Sequence, residues 1–387
     1  MEPMLPTSRQ EELLELASKV ISESAALGGS LPAPTRAELA AFLRNVNSYY
    51  SNLIEGHGTH PRDIERALRS DFSTSPEKRA LQIESAAHVA TQAAVEQRLS
   101  AEPGLDVCSA DFLRWIHAEF YRRMPAEFRL LDGAAVEPGA LRTKDVTIGL
   151  HEPPRHEAVP AFLRRFQEAY RFEGMTPLVR IVAAGAAHHR LAWIHPFLDG
   201  NGRVMRLFTH AWFTRCNVDG HGIWVVSRGL ARRRQRYREL LQAADRPRRG
   251  DYDGRGALTD EGLAAFCAFF LETALDQIRF SARLLDLPSL RKRVEGYARV
   301  RAAAGELPDV AGHLLVQALL EGEVARGDAA RIVGLRERAA RKVVSRLVAE
   351  GLLQSKSHRA PLRLAFPAKA AQYYFPDLYP PLDFAEE

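Results

Sequence analysis

The most evident chemistry in this chain lies in a short segment that begins at His195. The imidazole of His195 can accept a proton near neutral pH. Asp199, four residues later, offers the hard carboxylate oxygens that Mg²⁺ prefers. The sequence Gly200-Asn201-Gly202 that follows allows a tight turn whose backbone N–H groups can point at phosphate oxygens. The segment therefore combines a base, a metal ligand and an anion-binding turn.

Two arginines extend this segment into a predicted helix. Residues 204–213 have the apolar pattern of a buried helix, so the glycine turn would lie at a helix N-terminus, where the backbone dipole favours anions. Arg203 and Arg206 are three residues apart and should project from the same face of this helix. Their planar guanidinium groups match the geometry of a phosphate. Together these residues predict a site that acts on a nucleotide.

The run from His195 to Arg206 resembles the Fic motif, His-x-Phe-x-(Asp/Glu)-Gly-Asn-Gly-Arg-x-x-Arg, and matches it at every fixed position. The resemblance implies transfer of AMP from ATP to a Ser, Thr or Tyr hydroxyl of a target protein. It implies that His195 takes the hydroxyl proton and that Asp199 holds Mg²⁺ between the α- and β-phosphates.

The same resemblance assigns the phosphate contacts. Asn201 and the backbone from Gly200 to Gly202 would cradle phosphate oxygens, Arg203 would hold the β-phosphate and Arg206 the γ-phosphate. The motif places phosphates and says little about the rest of the donor. Removal of AMP, transfer of UMP, phosphate or phosphocholine, and a regulator that senses ATP while binding DNA therefore remain open alternatives.

A second motif precedes the first by about 140 residues. Ser51-Asn52-Leu53-Ile54-Glu55-Gly56 matches the inhibitory motif (Ser/Thr)-x-x-x-Glu-(Gly/Asn) of many Fic proteins. The resemblance implies that Glu55 reaches into the nucleotide site and pairs with Arg206, which would take this arginine from the γ-phosphate. Ser51 lies one helical turn before Glu55 and is expected to hold the glutamate rotamer by a hydrogen bond. The alternative is a surface glutamate before a helix C-cap.

The pattern changes from Gly139 to His151, where Val146-Thr147-Ile148-Gly149 is rich in β-branched residues, ends in a glycine and predicts a short hairpin. It resembles the flap of Fic proteins, whose exposed strand edge can pair with an extended segment of a target. A hairpin that only covers the core is the alternative. The candidates for target docking are Val146, Thr147, Ile148, Gly149 and His151.

Composition indicates a globular protein. The 387 residues carry a net charge of +5, 46% of them are hydrophobic and 26% are charged. Three separated cysteines, the lack of a basic start followed by an apolar run, and the lack of a long apolar stretch lead us to expect a cytoplasmic protein without membrane contact.

Periodicity predicts a mainly α fold. The resemblance to Fic proteins implies that these helices form a bundle around one central helix and that the flap hairpin is its β element. The predicted helices span residues 13–27, 37–54, 77–99, 110–124, 159–172, 176–193, 202–216, 227–244, 259–285, 289–304, 313–321, 325–332 and 336–350. The chain divides into an inhibitory helical region (1–105), a catalytic core (106–286), a linking helix (287–308) and a C-terminal domain (309–387).

The C-terminal domain shows three predicted helices followed by alternating residues over 352–366, an order that resembles a winged helix-turn-helix. Residues 336–350 would form the recognition helix. Winged helices bind either DNA or protein, and both partners stay open. The other expected partner is a protein with a hydroxyl side chain, including the chain itself, and a homo-oligomer is also open.

Overall fold

The computed structural model describes residues 1–131 and 133–380, and it is mainly helical, as predicted. Two compact units are present. The larger unit contains residues 1–25, 44–219 and 224–278, and the smaller contains residues 26–43, 220–223 and the chain from residue 279 onward.

The helices follow the predicted order. They are α1 (Gln10–Gly28), α2 (Ala33–Glu55), α3 (Pro61–Leu68), α4 (Pro76–Ala101), α5 (Ala110–Tyr121), α6 (Val159–Tyr170), α7 (Pro177–Ile194), α8 (Asn201–Arg215), α9 (Val226–Arg232), α10 (Arg234–Ala244), α11 (Asp260–Leu284), α12 (Leu287–Ala303), α13 (Ala311–Glu321), α14 (Ala329–Val333), α15 (Glu337–Ala349) and α16 (Ala368–Tyr374). The strands are β1 (Leu130–Leu131), β2 (Ala134–Ala135), β3 (Leu353–Gln354) and β4 (Arg363–Leu364).

The core of the larger unit forms around α7 and α8, which pack against each other, with α4 and α5 also contacting α8. Almost every residue from Asn201 to Phe213 is buried, so α8 is enclosed on all sides. A helix that is buried all round lies at the centre of a bundle. The site residues at its N-terminus are therefore fixed by the packing of the whole unit.

Several boundaries differ from the sequence prediction. The short helices α3 and α16 were not predicted, and the helix expected over residues 227–244 is broken at Arg233 into α9 and α10. Ser109 caps α5, its hydroxyl accepting the backbone N–H of Phe112. Among the described residues, no helix is long and apolar enough to cross a membrane.

The hairpin predicted around Val146 is reduced to one antiparallel bridge between Ile148 and His151. The next hydrogen-bonded pair of such a ladder would join Val146 to Pro153, and proline has no backbone N–H to donate. A ladder therefore cannot extend from the bridge. The two-stranded ribbon of this region is formed instead by β1 and β2, in a segment where none was predicted.

The smaller unit contains the predicted C-terminal elements. After α13, Val324 and Leu362 form an antiparallel bridge with two 2.8 Å hydrogen bonds. Then come α14, a turn at Gly334, α15 and the antiparallel pair β3–β4. This order is the one expected for a winged helix, and the assignment of that fold stays a prediction.

Candidate functional site

The candidate base lies in an unusual backbone position. Helix α7 ends at Ile194, and His195 adopts a left-handed conformation with φ of 49°. Buried Arg142 fixes this corner, because its Nε donates to the His195 carbonyl at 2.8 Å and its N–H donates to the Pro196 carbonyl at 3.0 Å. Burial, with nearby His151 and Arg142, lowers the pKa of His195 to about 4. The imidazole is therefore neutral near pH 7 and can accept a proton.

The turn between α7 and α8 is held by Asn201. Its amide accepts from the Phe197 N–H and donates to the Phe197 carbonyl, both at 2.9 Å. Gly200 has φ of 79°, and a Cβ there would lie 2.7 Å from the Tyr121 ring, so glycine is required. The Asn201 side chain is thus committed to the loop, and the N-terminal N–H groups of α8 are the groups oriented toward an anion.

Asp199 is the candidate metal ligand. Its carboxylate accepts from the Tyr121 hydroxyl at 2.6 Å and from Arg203 at 3.0 and 3.1 Å. Burial opposes ionisation, but Arg203 and Tyr121 outweigh it and keep the pKa of Asp199 below its usual value. The side chain is 38% exposed, which leaves carboxylate lone pairs for a cation. One carboxylate fits Mg²⁺, which typically binds through one or two carboxylates and phosphate oxygens.

Arg203 has a different environment from the one the motif suggests. The side chain is 7% exposed, and its terminal nitrogens donate to Asp199 and to buried Glu84 of α4. Burial disfavours the cation, yet Glu84 and Asp199 raise the pKa of Arg203. In the described part of the chain it does not line the cleft. Its immediate contact is the Asp199 carboxylate and not an open phosphate position.

Glu84 and Tyr121 are the partners that sequence reasoning missed. Glu84 also contacts His57 at 2.8 Å. Ile83 and Ala87, its neighbours on α4, are buried in the same apolar cluster as Tyr121. A carboxylate on the buried face of an amphipathic helix requires a buried cation. That pattern was the one available signal for Glu84, and it does not identify Arg203 as the partner.

The inhibitory motif and the Fic motif meet at Arg206. This arginine is 1% exposed and donates from Nη2 to Glu55 Oε1 at 2.5 Å, as predicted. Ser51 differs from expectation: its hydroxyl accepts from Arg206 Nε at 2.8 Å, and its carbonyl accepts from Nη2 at 3.0 Å. Ser51 therefore orients the arginine and not the glutamate.

Glu55 also lies directly over the glycine turn. A Cβ placed on Gly202 would be 2.1 Å from Glu55 Oε1, so only glycine allows this approach. Burial opposes ionisation of Glu55, but Arg206 and Arg203 hold its pKa below the usual value. A charged carboxylate thus occupies the anion-binding end of α8.

One cleft of about 460 Å³ in the larger unit is lined by Glu55, His195 and Arg206, and also by Ile148 and His151. His151 is half-buried and contacts the Trp193 carbonyl through Nε2 at 2.9 Å. Thr147 and Gly149 are exposed, and Val146 is partly exposed. Ile148, Gly149 and His151 therefore border the cleft without forming a strand, whereas Val146 and Thr147 do not line it.

His188 is separate from the chemistry. It is fully buried and contacts Thr209 and Tyr237 through its two ring nitrogens, both at 2.7 Å. No cluster of three or more His, Cys, Asp or Glu side chains suited to a metal occurs among the described residues. His188 is therefore a structural residue of the α7–α8 core.

Comparison with known proteins is consistent with this site. Residues 107–213 match the Fic/DOC family. Proteins named protein adenylyltransferase Fic, from Drosophila willistoni and Drosophila erecta, are 35% identical over 80 residues. That match covers 21% of this chain and 16% of each relative, so the chain corresponds to a small part of their length.

Solved structures show the same fold. A Fic family protein from Desulfovibrio desulfuricans G20 aligns with a TM-score of 0.55 at 18% identity, covering 93% of this chain and 98% of the other. A Fic domain containing signaling protein from Bacteroides thetaiotaomicron aligns with a TM-score of 0.52 at 19% identity, covering 69% and 96% of the two chains.

Proposed function

This chain carries a Fic/DOC-family domain over residues 107–213, and on that premise we propose that it is a protein adenylyltransferase that Glu55 inhibits. It transfers AMP from ATP to a Ser, Thr or Tyr hydroxyl of a target protein. The observation that carries the proposal is the Glu55 carboxylate, which contacts Arg206 and lies over Gly202 in the cleft that His195 lines. A carboxylate held at this position takes the place of a phosphate.

In the proposed reaction the target hydroxyl oxygen attacks the α-phosphorus, and the bond from that phosphorus to the bridging oxygen of the β-phosphate breaks. Neutral His195 takes the hydroxyl proton. Pyrophosphate leaves, and AMP remains bound to the target as a phosphodiester. General-base help of this kind contributes about 10²- to 10⁴-fold in rate.

The remaining residues position the donor. Asp199 would hold Mg²⁺, which neutralises phosphate charge when bound. The backbone N–H groups at the start of α8 and the Arg206 guanidinium would bind the triphosphate, once Glu55 has withdrawn. Arg203 acts through Asp199, whose carboxylate it orients. Positioning and charge neutralisation then supply most of the acceleration.

Flap residues would place the target. Ile148 lines the cleft and is 43% exposed, and Leu150 beside it is 89% exposed. An extended segment of the target can pair with exposed backbone near this bridge and present its hydroxyl toward His195. This contact requires little side-chain specificity.

The test compares the wild type, Glu55→Gly, and Glu55→Gly with His195→Ala. Each protein is incubated with Mg²⁺ and ATP, and intact mass is measured for an added AMP. We expect the adduct only in Glu55→Gly, and ATP binding in all variants with Glu55 replaced. Transfer that survives His195→Ala would refute the role of the histidine. An adduct formed faster from UTP, CTP or GTP than from ATP would refute the assigned donor.

A further inference from the structure

The smaller unit has a concentrated positive charge that the proposed transfer reaction does not use. Between residues 323 and 363 there are ten lysine and arginine residues against four acidic ones, a net charge of +6 in 41 residues. The whole chain of 387 residues has a net charge of only +5. The positive balance of the protein therefore resides in this segment.

Helix α15 presents much of this charge on one face. Ala340, Val343, Val344 and Leu347 are buried and form its core side. The opposite side of the helix carries four exposed residues, Arg338, Arg341, Lys342 and Ser345, in which Arg341 and Lys342 each lie three or four residues from Arg338 and from Ser345. Such a stripe of donors cannot be explained by packing, because none of these four side chains is buried.

Local acidic residues neutralise this stripe only weakly. Arg341 pairs with Glu337 at 3.0 Å, and both side chains are about four-fifths exposed. Exposed pairs of this kind contribute little and exchange readily for another anion. The face thus remains available to a polyanion.

The loop between β3 and β4 adds charge on the same side. It carries Lys356, His358 and Arg359, all exposed. The loop is ordered by Ser357, whose hydroxyl accepts the backbone N–H groups of Arg359 and Ala360. A groove of about 480 Å³ is lined by Arg341 and Ser345 of α15 and by His358 of the loop. Helix and loop therefore flank one common surface.

We propose that the smaller unit binds duplex DNA through this surface, with α15 in the major groove and the β3–β4 loop on the adjacent backbone. A helix of 13 residues is about 20 Å long and, at about 10–12 Å in diameter with side chains, fits the major groove. Arginine and lysine contact guanine edges and phosphates, and serine contacts either. The order of bridge, α14, α15 and ribbon suits that docking mode.

The experiment measures fluorescence anisotropy of a labelled 30-base-pair duplex of random sequence with the full chain, between 50 and 200 mM KCl. We expect binding at 50 mM that weakens steeply with salt, since each neutralised phosphate contributes about −0.9 to the slope of log affinity against log salt. The test variant is Arg338→Ala, Arg341→Ala, Lys342→Ala. Its affinity for the duplex should be at least tenfold lower, and the slope of log affinity against log salt should be shallower by about two to three units.

The matched control removes three other exposed arginines, Arg69→Ala, Arg236→Ala and Arg249→Ala, and should bind within about twofold of the wild type. Circular dichroism and melting temperature show that each variant is folded. No binding by the wild type, or equal losses in both triple variants, would overturn the proposal. Competition by poly-glutamate at the same charge concentration as the duplex would also overturn it, because the surface would then recognise acidic polymers in general.

Discussion

At the level of single residues, the protonation state of His195 decides when the site can act. Burial and the cations around it lower the pKa of His195 to about 4, so the neutral imidazole dominates throughout the range from pH 5 to pH 8. Protonation of the His195 imidazole at low pH removes the base. The lowered pKa moves that loss to a lower pH than for an ordinary histidine.

We therefore predict that kcat/KM of Glu55→Gly changes by less than about threefold between pH 8 and pH 6 and falls only below about pH 5. This parameter reports groups of the free enzyme. Initial rates of AMP incorporation across this range provide the measurement, with ATP affinity determined at each pH as the control. A midpoint near pH 6.5 would contradict the inferred environment of His195.

Glu84 gives a second prediction for a single residue, because it shares Arg203 with Asp199. In Glu84→Gln the arginine loses one anion and should pair more tightly with Asp199. We expect the Mg²⁺ concentration for half-maximal rate, measured in the Glu55→Gly background, to rise several-fold. Stability should fall by about 1–3 kcal/mol, as for a weakened buried charged hydrogen bond.

The control for this effect is Glu102→Gln, which removes a half-exposed carboxylate at the end of the same helix. It should leave the Mg²⁺ dependence unchanged. If Glu84→Gln lowers the melting temperature but leaves the Mg²⁺ midpoint where it was, Glu84 is structural and does not position Asp199 through Arg203.

At the scale of elements, α2 contributes both parts of the inhibitory contact. Ser51 and Glu55 lie one turn apart and contact the same arginine from two sides. The proposed inhibition therefore depends on the end of this helix remaining helical up to Glu55. A change that unwinds the last turn of α2 would remove the carboxylate and the hydroxyl together.

Ser51→Ala should release the inhibition in part. Arg206 loses a 2.8 Å acceptor, and the arginine becomes less firmly oriented toward Glu55. We expect self-modification at a rate between those of the wild type and Glu55→Gly, measured by intact mass over time. Ser48→Ala is the matched control, because Ser48 is also buried on α2 but donates to the Ser85 carbonyl. Equal activation by both variants would indicate general loosening of α2.

The sequence allowed most helices to be predicted, because an amphipathic pattern over several turns is a local signal. The short helices α3 and α16 have too few turns for such a pattern. The predicted flap hairpin was wrong for a different reason. The β-branched residues Val146 and Ile148 favour strands, but the opposite position in the ladder is Pro153, which cannot donate a backbone hydrogen bond.

In the candidate site, too, local patterns could be predicted from the sequence and contacts between distant residues could not. The Fic motif and the Glu55–Arg206 contact could be predicted because motif spacing encodes them. The Arg203–Glu84 contact joins residues 119 apart in the chain, and no local pattern indicates such a pair. The predicted partner of Ser51 was wrong, because its hydroxyl contacts Arg206 and not Glu55. A hydroxyl one helical turn before Glu55 can reach either Glu55 or the arginine that Glu55 contacts, and the motif does not distinguish the two.

At the scale of the whole molecule, the first residues of the chain belong to the larger unit. Fully buried Arg190 donates to the Pro3 carbonyl at 2.8 and 3.0 Å, and the Tyr170 hydroxyl donates to the Met4 carbonyl at 2.5 Å. Asp260 accepts the N–H groups of Thr7 and Ser8. This segment therefore supplies hydrogen-bond acceptors to the buried side chains of Arg190 and Tyr170.

Deletion of residues 1–8 should therefore destabilise the protein by about 3–5 kcal/mol, the usual cost of an uncompensated buried charge, and lower the melting temperature by several degrees. Differential scanning calorimetry provides the measurement. Adding Arg190→Met to the deletion should restore part of the lost stability, because the buried guanidinium that has lost its Pro3 acceptor is then removed as well. An unchanged melting temperature after deletion would show that the segment contributes little.

The contact between Glu55 and Arg206 has a thermodynamic consequence as well. Arg206 is almost completely buried, and Glu55 serves as its counter-ion, so the carboxylate that we propose to be inhibitory also stabilises the fold. In the proposed mechanism ATP and Glu55 compete for this cation, and a form with neither leaves buried Arg206 without its carboxylate partner. Nucleotide should then raise the melting temperature of Glu55→Gly far more than that of the wild type, since a ligand at 100 times its Kd adds about 2.7 kcal/mol. In the proposed mechanism, the contact that keeps the protein inactive is therefore also a contact that stabilises its fold.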